Sequence, residues 1–376
     1  MKSFKKIIII LFCIFLCASL CSAIAGNLEK GVELYNQKKF VEAFSIIETE
    51  AKKGNGEAQF LLGKMYDFGN GTKKNLNKAV YWYRKGAERG NAKAMFNLAL
   101  MYSTGEGVNK DLKQAYKLYL KSAESGNDAA QFNLALMYLN GEGVQQDYKK
   151  AYEWFYKAAL QGDKVAQYNI GLMYKRGVGV QQDYSRAFYW YKKSAEQNYS
   201  DAEYALGLIY QRGLNVPVNR NEAIKWYKKA ADQGHITSMY NLASIYLPED
   251  DPSDASRWDE VYKWYALAME HGDRKNAPFG MGLIYLFGRG HYPIDNQKAA
   301  ELFTLSAENG KVDSWYWLGV MEEYGFGRPY NTEKAFELYR KAAELGSGPA
   351  IRRLNMKEPD PTVKLFHFVK DLFEPQ

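Results

Sequence analysis

The chain repeats one short stretch, such as Ala-Glu-Arg-Gly or Ala-Glu-Ser-Gly, at intervals of 36 to 38 residues. The positions that end these stretches are Gly54, Gly90, Gly126, Gly162, Asn198, Gly234, Gly272, Gly310 and Gly346. A period of this length indicates one supersecondary unit copied along the chain. A unit this small cannot bury its own apolar face, so the copies must stack, and the stacked surface usually binds other macromolecules.

Each copy contains two helical patterns. In the copy 91–126, apolar residues over 94–102 recur at helical spacing and predict a first helix, here called helix A. Gly105-Glu106-Gly107-Val108 ends it, since glycine accepts the positive φ that follows a helix end. Asp111 is suited to cap a second helix, helix B, whose apolar face lies within 115–123.

An Asn or Asp precedes helix B in seven copies, and its side chain is expected to accept from the free N–H groups at the helix start. These predicted caps are Asn75, Asp111, Asp147, Asp183, Asn219, Asp295 and Asn331. Tryptophan recurs inside helix B and is expected to fill space between the helices. The tryptophans of this row are Trp82, Trp154, Trp190, Trp226 and Trp264.

The pattern Ala-x-x-x-Leu-Gly-x-x-Tyr-x-x-Gly-x-Gly-Val, followed by Asp-x-x-x-Ala-x-x-Trp-Tyr, resembles the Sel1-like repeat, a relative of the tetratricopeptide repeat. The resemblance covers eight copies: 55–90, 91–126, 127–162, 163–198, 199–234, 235–272, 273–310 and 311–346. It implies an all-α fold, a right-handed α-solenoid superhelix of stacked helix-turn-helix repeats with a concave groove.

Both ends of the array are expected to be capped. Residues 28–54 read as a shorter helical pair that covers the first copy. Residues 347–376 begin as a ninth helix A and then stop at Pro359-Asp360-Pro361. The apolar side of the helix predicted after this stop favours a terminal cap, with an amphipathic membrane or partner helix as the alternative.

The first 25 residues have the pattern of a secretory signal peptide. Lys2, Lys5 and Lys6 precede the apolar run 7–20, and Ala23-Ile24-Ala25 is a small-x-small cleavage site. An uncleaved anchor and a lipoprotein processed at Cys21 are the alternatives. All three cysteines lie in this segment, so the repeats have no disulfide, thiolate metal site or cysteine nucleophile.

No pattern in the chain predicts an enzyme. His235, His271, His291 and His367 have no ligand spacing and are expected on surfaces or loops, and the Gly-x-Gly pairs do not follow strands. We therefore predict no catalytic residue, no metal and no cofactor. The net charge of +7 includes the three N-terminal lysines and is mixed with acidic residues, which argues against nucleic acid.

Helix A carries the candidate binding residues. By analogy with tetratricopeptide repeats, Asn97, Asn133, Asn169 and Asn241 are expected on the concave face, where an amide can hold the backbone of an extended peptide. The equal alternative is that these asparagines bond between neighbouring helices. An aromatic row runs beside them, and core packing is favoured for it; its Tyr168 and Tyr204 are further candidate binding residues. This row is Phe60, Phe96, Phe132, Tyr168, Tyr204, Tyr240, Phe279 and Tyr316.

Three cations stand in the last turns of helix A. Lys175, Arg176 and Arg212 would suit an acidic peptide or a phosphorylated head group. The favoured alternative is that they complement the helix dipole.

Two copies depart from the pattern. Copy six has the loop Leu247-Pro248-Glu249-Asp250-Asp251-Pro252-Ser253-Asp254, which we interpret as a solvated linker because its spacing does not match a calcium loop. Copy eight has Glu322 where the other copies have tyrosine.

The resemblance implies an exported scaffold that binds a protein partner in its groove. Exported repeat proteins of this length also resemble the LpnE-type host-entry proteins of Legionella, which implies a virulence factor of host-cell entry and vacuole trafficking. Its partner would then be a host entry or vesicle-trafficking protein, with a phosphoinositide or membrane surface as a weaker option. The alternative is a periplasmic adaptor or regulator of cell-envelope proteins. We expect a monomer, secreted or periplasmic.

Overall fold

A computed structural model describes residues 27–247 and 253–355, and every regular element in these ranges is an α-helix. The predicted signal peptide and the capping helix after Pro361 lie outside the described residues, as do residues 248–252 of the acidic loop. Within the described ranges, no helix is long and apolar enough to cross a bilayer.

The chain divides into two compact units between Ser194 and Ala195. The helices of the first unit are α1 (27–36), α2 (Phe40–Lys52), α3 (Gly56–Phe68), α4 (Leu76–Glu88), α5 (Ala92–Thr104), α6 (Leu112–Glu124), α7 (Asp128–Asn140), α8 (Tyr148–Leu160), α9 (Lys164–Arg176) and α10 (Tyr184–Ala195), which ends at the boundary.

The second unit continues the same alternation. Its helices are α11 (Ser200–Arg212), α12 (Arg220–Asp232), α13 (Ile236–Tyr246), α14 (Ala255–Glu270), α15 (Asn276–Phe287), α16 (Asn296–Glu308), α17 (Val312–Tyr324), α18 (Thr332–Glu344) and α19 (Gly348–Asn355). From α3 onward, odd-numbered helices are helix A and even-numbered helices are helix B. From α2 to α9 and from α11 to α19, each helix packs against the next in sequence. The predicted all-α solenoid of stacked hairpins is therefore confirmed.

The predicted polar caps begin the helix-B segments. The side chain of Asp111 accepts from the N–H of Gln114 at 3.0 Å, and the other six predicted caps make the equivalent bond. The turn after helix B uses a positive φ, which is 89° at Gly126. Asn198 takes the same slot with a φ of 55°, since asparagine tolerates the left-handed region better than most residues.

A buried aromatic ring of helix B packs against a small residue of helix A. A Cβ atom added to Gly171 would lie 2.6 Å from the Tyr191 ring, so glycine permits this close approach. Copies two and three have Ala99 and Ala135 at the same position, and both are fully buried. The backbone spacing between the two helices is thus set by one small side chain in each copy.

Buried glutamines join consecutive hairpins. The side-chain N–H of Gln131 in α7 donates to the carbonyl of Ala123 in α6 at 3.1 Å, and Gln167 donates to Ala159 at the same distance. These carbonyls lie in the last turn of helix B and also accept from the N–H groups of Gly126 and Gly162, both at 3.1 Å. Each glutamine therefore adds a second hydrogen bond to a helix-B carbonyl across the joint between two copies.

The second unit contains both irregular copies. α13 is short, with 11 residues, and its C-cap is Leu247 in place of the left-handed glycine found in other copies. α14 extends to 16 residues. In copy eight, Glu322 is 2% exposed and pairs with Arg328 and Lys334 at 3.0 Å each. The glutamate that replaces tyrosine at this position is therefore neutralised by two ion pairs.

Candidate partner-binding surface

Helix A presents one partly exposed line of residues in each copy. In α5 this line is Lys93, Asn97, Leu100 and Thr104, which are three or four residues apart and share one side of the helix. Leu100 is 42% exposed although it lies between core positions. We call the residues 93, 97, 100, 104, 129, 133, 136, 140, 165, 169, 172 and 176 of α5, α7 and α9 the helix-A stripe.

The stripe places an asparagine beside a leucine three times. The pairs are Asn97 with Leu100, Asn133 with Leu136, and Asn169 with Leu172. Sequence reasoning identified the asparagines but missed the leucines, because leucine in a helical pattern is normally assigned to the core. The available signal was that these leucines recur every 36 residues outside the core line of the helix.

The predicted asparagines divide into two groups by their contacts. The side-chain N–H groups of Asn133 and Asn169 donate to the carbonyls of Ala129 and Val165 in their own helices, both at 2.8 Å. Both side chains are half-buried and lie on the stripe. Each bond reaches the carbonyl four residues earlier in the same helix, so it does not join two helices. The alternative of interhelical bonding therefore does not describe these two residues.

Asn97 and Asn241 contact a tyrosine of the preceding copy. Burial raises the pKa of Tyr83 well above its usual range, and the hydrogen bond from Asn97 opposes this rise. Burial likewise raises the pKa of Tyr227, and Asn241 opposes it. The residue of copy three that corresponds to Tyr83 is Phe155, which lacks a hydroxyl. Copy two has Tyr119 there, however, and Asn133 still bonds within its own helix. Interhelical bonding thus describes Asn97 and Asn241.

The aromatic row packs into the core. All eight rings lie 5.5 to 6.3 Å from a helix-B ring of the same copy. Tyr168 lies 5.6 Å from Tyr191 and Tyr204 lies 5.9 Å from Tyr227, measured between ring centroids. Both tyrosines stay half-buried, so one edge of each ring remains at the surface. A role for this edge in partner binding stays a prediction.

The three predicted cations do end helix A. Lys175 and Arg176 form the last turn of α9 in the first unit, and Arg212 ends α11 in the second unit. Arg176 and Arg212 are exposed, and Lys175 is half-buried. Burial raises the pKa of Tyr191, and the positive charge of Arg176 opposes that rise. Arg176 therefore lies close enough to the buried phenol to stabilise negative charge there.

Tyr191 has a buried hydroxyl without a hydrogen-bond partner in the described part of the chain. Its counterpart Tyr227 donates to Gln211 at 2.6 Å, and Tyr83 hydrogen-bonds to Asp67. Copy four has Lys175 at this position of helix A, and an ammonium cannot accept a hydrogen bond. Copy four therefore has an unsatisfied buried hydroxyl, and the exposed guanidinium of Arg176 beside it, not this hydroxyl, can meet a carboxylate from outside.

The histidines among the described residues lie outside the helices. His235 caps α13: its Nδ1 accepts from the N–H of Ser238 at 3.1 Å, and its Nε2 lies 3.4 Å from Asp201. His235 thus lies in the loop before α13, as predicted, and its partly buried ring takes the place of an asparagine cap. His291 is an exposed residue paired with Asp259. Over 27–247 and 253–355, no three potential metal ligands lie together.

The Sel1 repeat family model matches seven segments that together cover more than half of the chain. They are residues 56–91, 92–127, 128–163, 164–199, 200–235, 277–311 and 314–347. Residues 236–276, which hold the short α13 and the long α14, fall between two of these matches.

Two solved structures share the fold. The first is c5321, a protective antigen present in uropathogenic Escherichia coli strains that displays an SLR fold; it is 30% identical, with a TM-score of 0.76. The alignment covers 93% of this chain and 75% of that chain. The second is a Sel1 repeat protein from Oxalobacter formigenes, 36% identical with a TM-score of 0.57, aligned over 64% of this chain and 96% of that chain.

Curated relatives match over a short stretch. DAP3-binding cell death enhancer 1 of Rattus norvegicus is 41% identical over 61 residues, and its Mus musculus counterpart is 38% identical over 61 residues. These stretches cover 16% of this chain and only 12% of each relative's length. The similarity is therefore confined to fewer than two repeats.

Proposed function

The chain belongs to the Sel1 repeat family, and we propose that it is an exported scaffold whose helix-A stripe holds a protein partner. Proteins of this family act as protein–protein interaction scaffolds, and the repeat is not a catalytic fold. The observation that supports this site is the threefold pairing of a half-buried asparagine with a leucine that is not fully buried: Leu100 is 42% exposed, and Leu136 and Leu172 are half-buried. Amide groups bind a peptide backbone, while leucine buries an apolar side chain of the partner.

Copy four supplies the charged part of this proposed site. The exposed guanidinium of Arg176, next to Lys175 in the last turn of α9, favours a carboxylate of the partner. The proposed partner segment is therefore a peptide with apolar side chains and an acidic group. Arg212, at the same helix position of α11, is proposed as a separate cation for an acidic group bound within the second unit.

Export and a role in the host are part of the proposal. Support for export comes from the charged start, apolar run and small-residue site within residues 1–25. Support for contact with a host comes from the likeness to c5321, itself a protective antigen of a pathogen. We accordingly propose a virulence factor that acts in host-cell entry and vacuole trafficking, in the manner of the LpnE-type proteins that the sequence resembles. The second candidate is a periplasmic adaptor of cell-envelope proteins, which the same N-terminal segment supports.

The binding surface is tested with the variant Asn133→Ala/Asn169→Ala. The full chain without its first 25 residues is immobilised, and proteins retained from host and bacterial lysates are compared between wild type and variant. We expect a partner retained by wild type to be lost by the variant, while the thermal unfolding temperature changes little because neither asparagine joins helices. Variant Leu100→Ser/Leu136→Ser tests the apolar half in the same way. A large drop in unfolding temperature would instead make the asparagines structural.

The location is tested separately. Cell fractionation and immunodetection in infected host cells should find the protein outside the bacterial envelope. A protein that stays in the periplasm and retains only bacterial envelope partners would favour the adaptor function over host entry.

A further inference from the structure

The positive charge of the first unit is concentrated on helix B. Together, α4, α6, α8 and α10 contain 12 Lys and Arg against 3 Asp and Glu, a net charge of +9. In the second unit, α12, α14, α16 and α18 contain 10 of each, a net charge of zero. The same structural element therefore carries a strong field in one unit and none in the other.

These cations lie at the surface. Eleven of the twelve are exposed, and Lys85 is half-buried. Lys113, Lys117 and Lys121 form a line along α6, four residues apart. Among the described residues, none of these three has an ion-pair partner, and the same holds for Lys149, Lys192 and Lys193. We call Lys113, Lys117, Lys121, Lys149, Lys157, Lys192 and Lys193 the lysine face.

Aromatic rings are interspersed with the lysine face. Lys157 Nζ lies 3.8 Å from the centroid of the Trp154 ring, so the ammonium covers one face of this half-buried ring. Tyr81 and Tyr189 are 51% and 53% exposed, and Lys193 Nζ lies 5.9 Å from the Tyr189 centroid. The negative face of such a ring attracts cations and the positive C–H edges of a ligand.

We propose that the lysine face binds a linear acidic polysaccharide. Lysines from the helix-B segments α6, α8 and α10 would follow the charges of an extended polymer, and their point charges do not require one fixed anion geometry. The exposed rings of Tyr81 and Tyr189 on helix B can pack against the C–H groups of a sugar ring.

The probe for this proposal is a fluorescent heparin oligosaccharide, with uncharged dextran as the ligand control. Binding to the full chain is measured by anisotropy over a salt series. We expect saturable binding to heparin that weakens steeply with salt, and no binding to dextran. The variant Lys113→Gln/Lys117→Gln/Lys121→Gln should weaken binding about tenfold or more and reduce the salt slope by about two to three. The triple Arg variant keeps the charge and should stay within about twofold of wild type.

A matched pair of single variants tests the location. Lys192 in α10 and Arg340 in α18 occupy the same position of helix B, and both are exposed. Lys192→Glu and Arg340→Glu change the net charge equally, so a response to total charge would be the same in both. We expect only Lys192→Glu to weaken heparin binding by several-fold. Equal losses would overturn the assignment of binding to the first unit.

The class of ligand is tested with the variant Tyr81→Ser/Tyr189→Ser. We expect it to weaken heparin binding while leaving the weak binding of inorganic polyphosphate unchanged, since polyphosphate has no sugar ring.

Tighter binding of single-stranded DNA or of phosphatidylserine vesicles than of heparin would overturn the proposal in favour of those ligands. The lysine face and the helix-A stripe share no residue, so the two proposals can fail independently. Loss of polysaccharide binding would not affect binding of a protein partner to the stripe. A stripe that binds no partner would likewise not affect polysaccharide binding.

Discussion

The ammonium of Lys334 lies 3.0 Å from the carboxylate of Glu322, at a position where other copies place a cation over a tyrosine ring. In copy three, for example, Lys150 Nζ lies 5.3 Å from the centroid of Tyr138. Copy eight therefore keeps a contact between helix A and helix B but replaces a cation–π interaction with an ion pair. Arg328 joins the same carboxylate at 3.0 Å.

We expect Glu322→Ala to lower the free energy of unfolding by about 1 to 3 kcal/mol, because two cations lose their acceptor in a partly buried site. Glu322→Tyr should lose less, since the ring restores the contact of the other copies with Lys334. Urea denaturation of the two variants measures the difference. If Glu322→Ala is as stable as wild type, the ion pairs contribute nothing.

Gly171→Ala should destabilise the first unit. The new methyl would lie 2.6 Å from the Tyr191 ring, and overpacking of this kind costs about 1 to 3 kcal/mol. This exceeds the roughly 1 kcal/mol that alanine gains over glycine in a helix. Ala135→Gly, at the same position of copy three, is the control and should cost about 2 kcal/mol, from the propensity difference and the loss of a buried methyl group. Thermal unfolding tests both, and a stabilised Gly171→Ala variant would contradict the close approach.

Tyr191→Phe should leave stability unchanged or raise it by about 1 kcal/mol, because it removes a buried hydroxyl that lacks a partner. Tyr227→Phe is the matched control: its hydroxyl donates to Gln211 at 2.6 Å, so this variant should lose about 1 kcal/mol. Equal stability losses in both variants would show that Tyr191 is satisfied within the fold.

His235 predicts a pH dependence of stability. Burial lowers the pKa of His235 below its ordinary value of 6.5, against the opposing effect of Asp201. The unfolded state thus binds more protons between the lowered pKa and 6.5, so this stability is present above pH 6.5 and is lost as the pH falls through that window. Protonation of Nδ1 also removes the cap of α13, which is worth about 1 kcal/mol.

The variant His235→Asn provides the comparison, because asparagine caps the equivalent helix A in copy three through Asn127 and does not titrate. Thermal unfolding between pH 8 and pH 5 should show a steeper decline for wild type than for this variant. Parallel curves would mean that another group controls stability in this range.

The helices and their caps follow directly from the sequence because each depends on local chemistry. A side chain such as Asp111 bonds to a backbone group three residues away, and the glycine slot requires only a local φ. Repetition strengthened these assignments, since the same pattern recurs in each copy. The family resemblance and the stacked fold were predictable for the same reason.

The surface residues were less predictable because their roles depend on the neighbouring copy. Asn97 and Asn169 occupy the same helix position, yet Asn97 contacts Tyr83 while Asn169 bonds to Val165 in its own helix. The ring type of the preceding copy does not decide this alone, since Asn133 bonds within its own helix although copy two has Tyr119 where copy one has Tyr83. The exposure of Leu100 and the unpaired hydroxyl of Tyr191 likewise result from how two helices meet.

The bond from Gln131 to Ala123 also limits how such a chain can change its length. The two residues are eight positions apart in the sequence, on either side of the turn between α6 and α7. A single residue inserted between them would rotate the amide away from its carbonyl. Whole duplicated or deleted copies leave every joint unaltered. Genes for arrays of this kind should therefore grow and shrink in blocks of 36 codons, and tandem copy number should vary more freely than the length of any one joint.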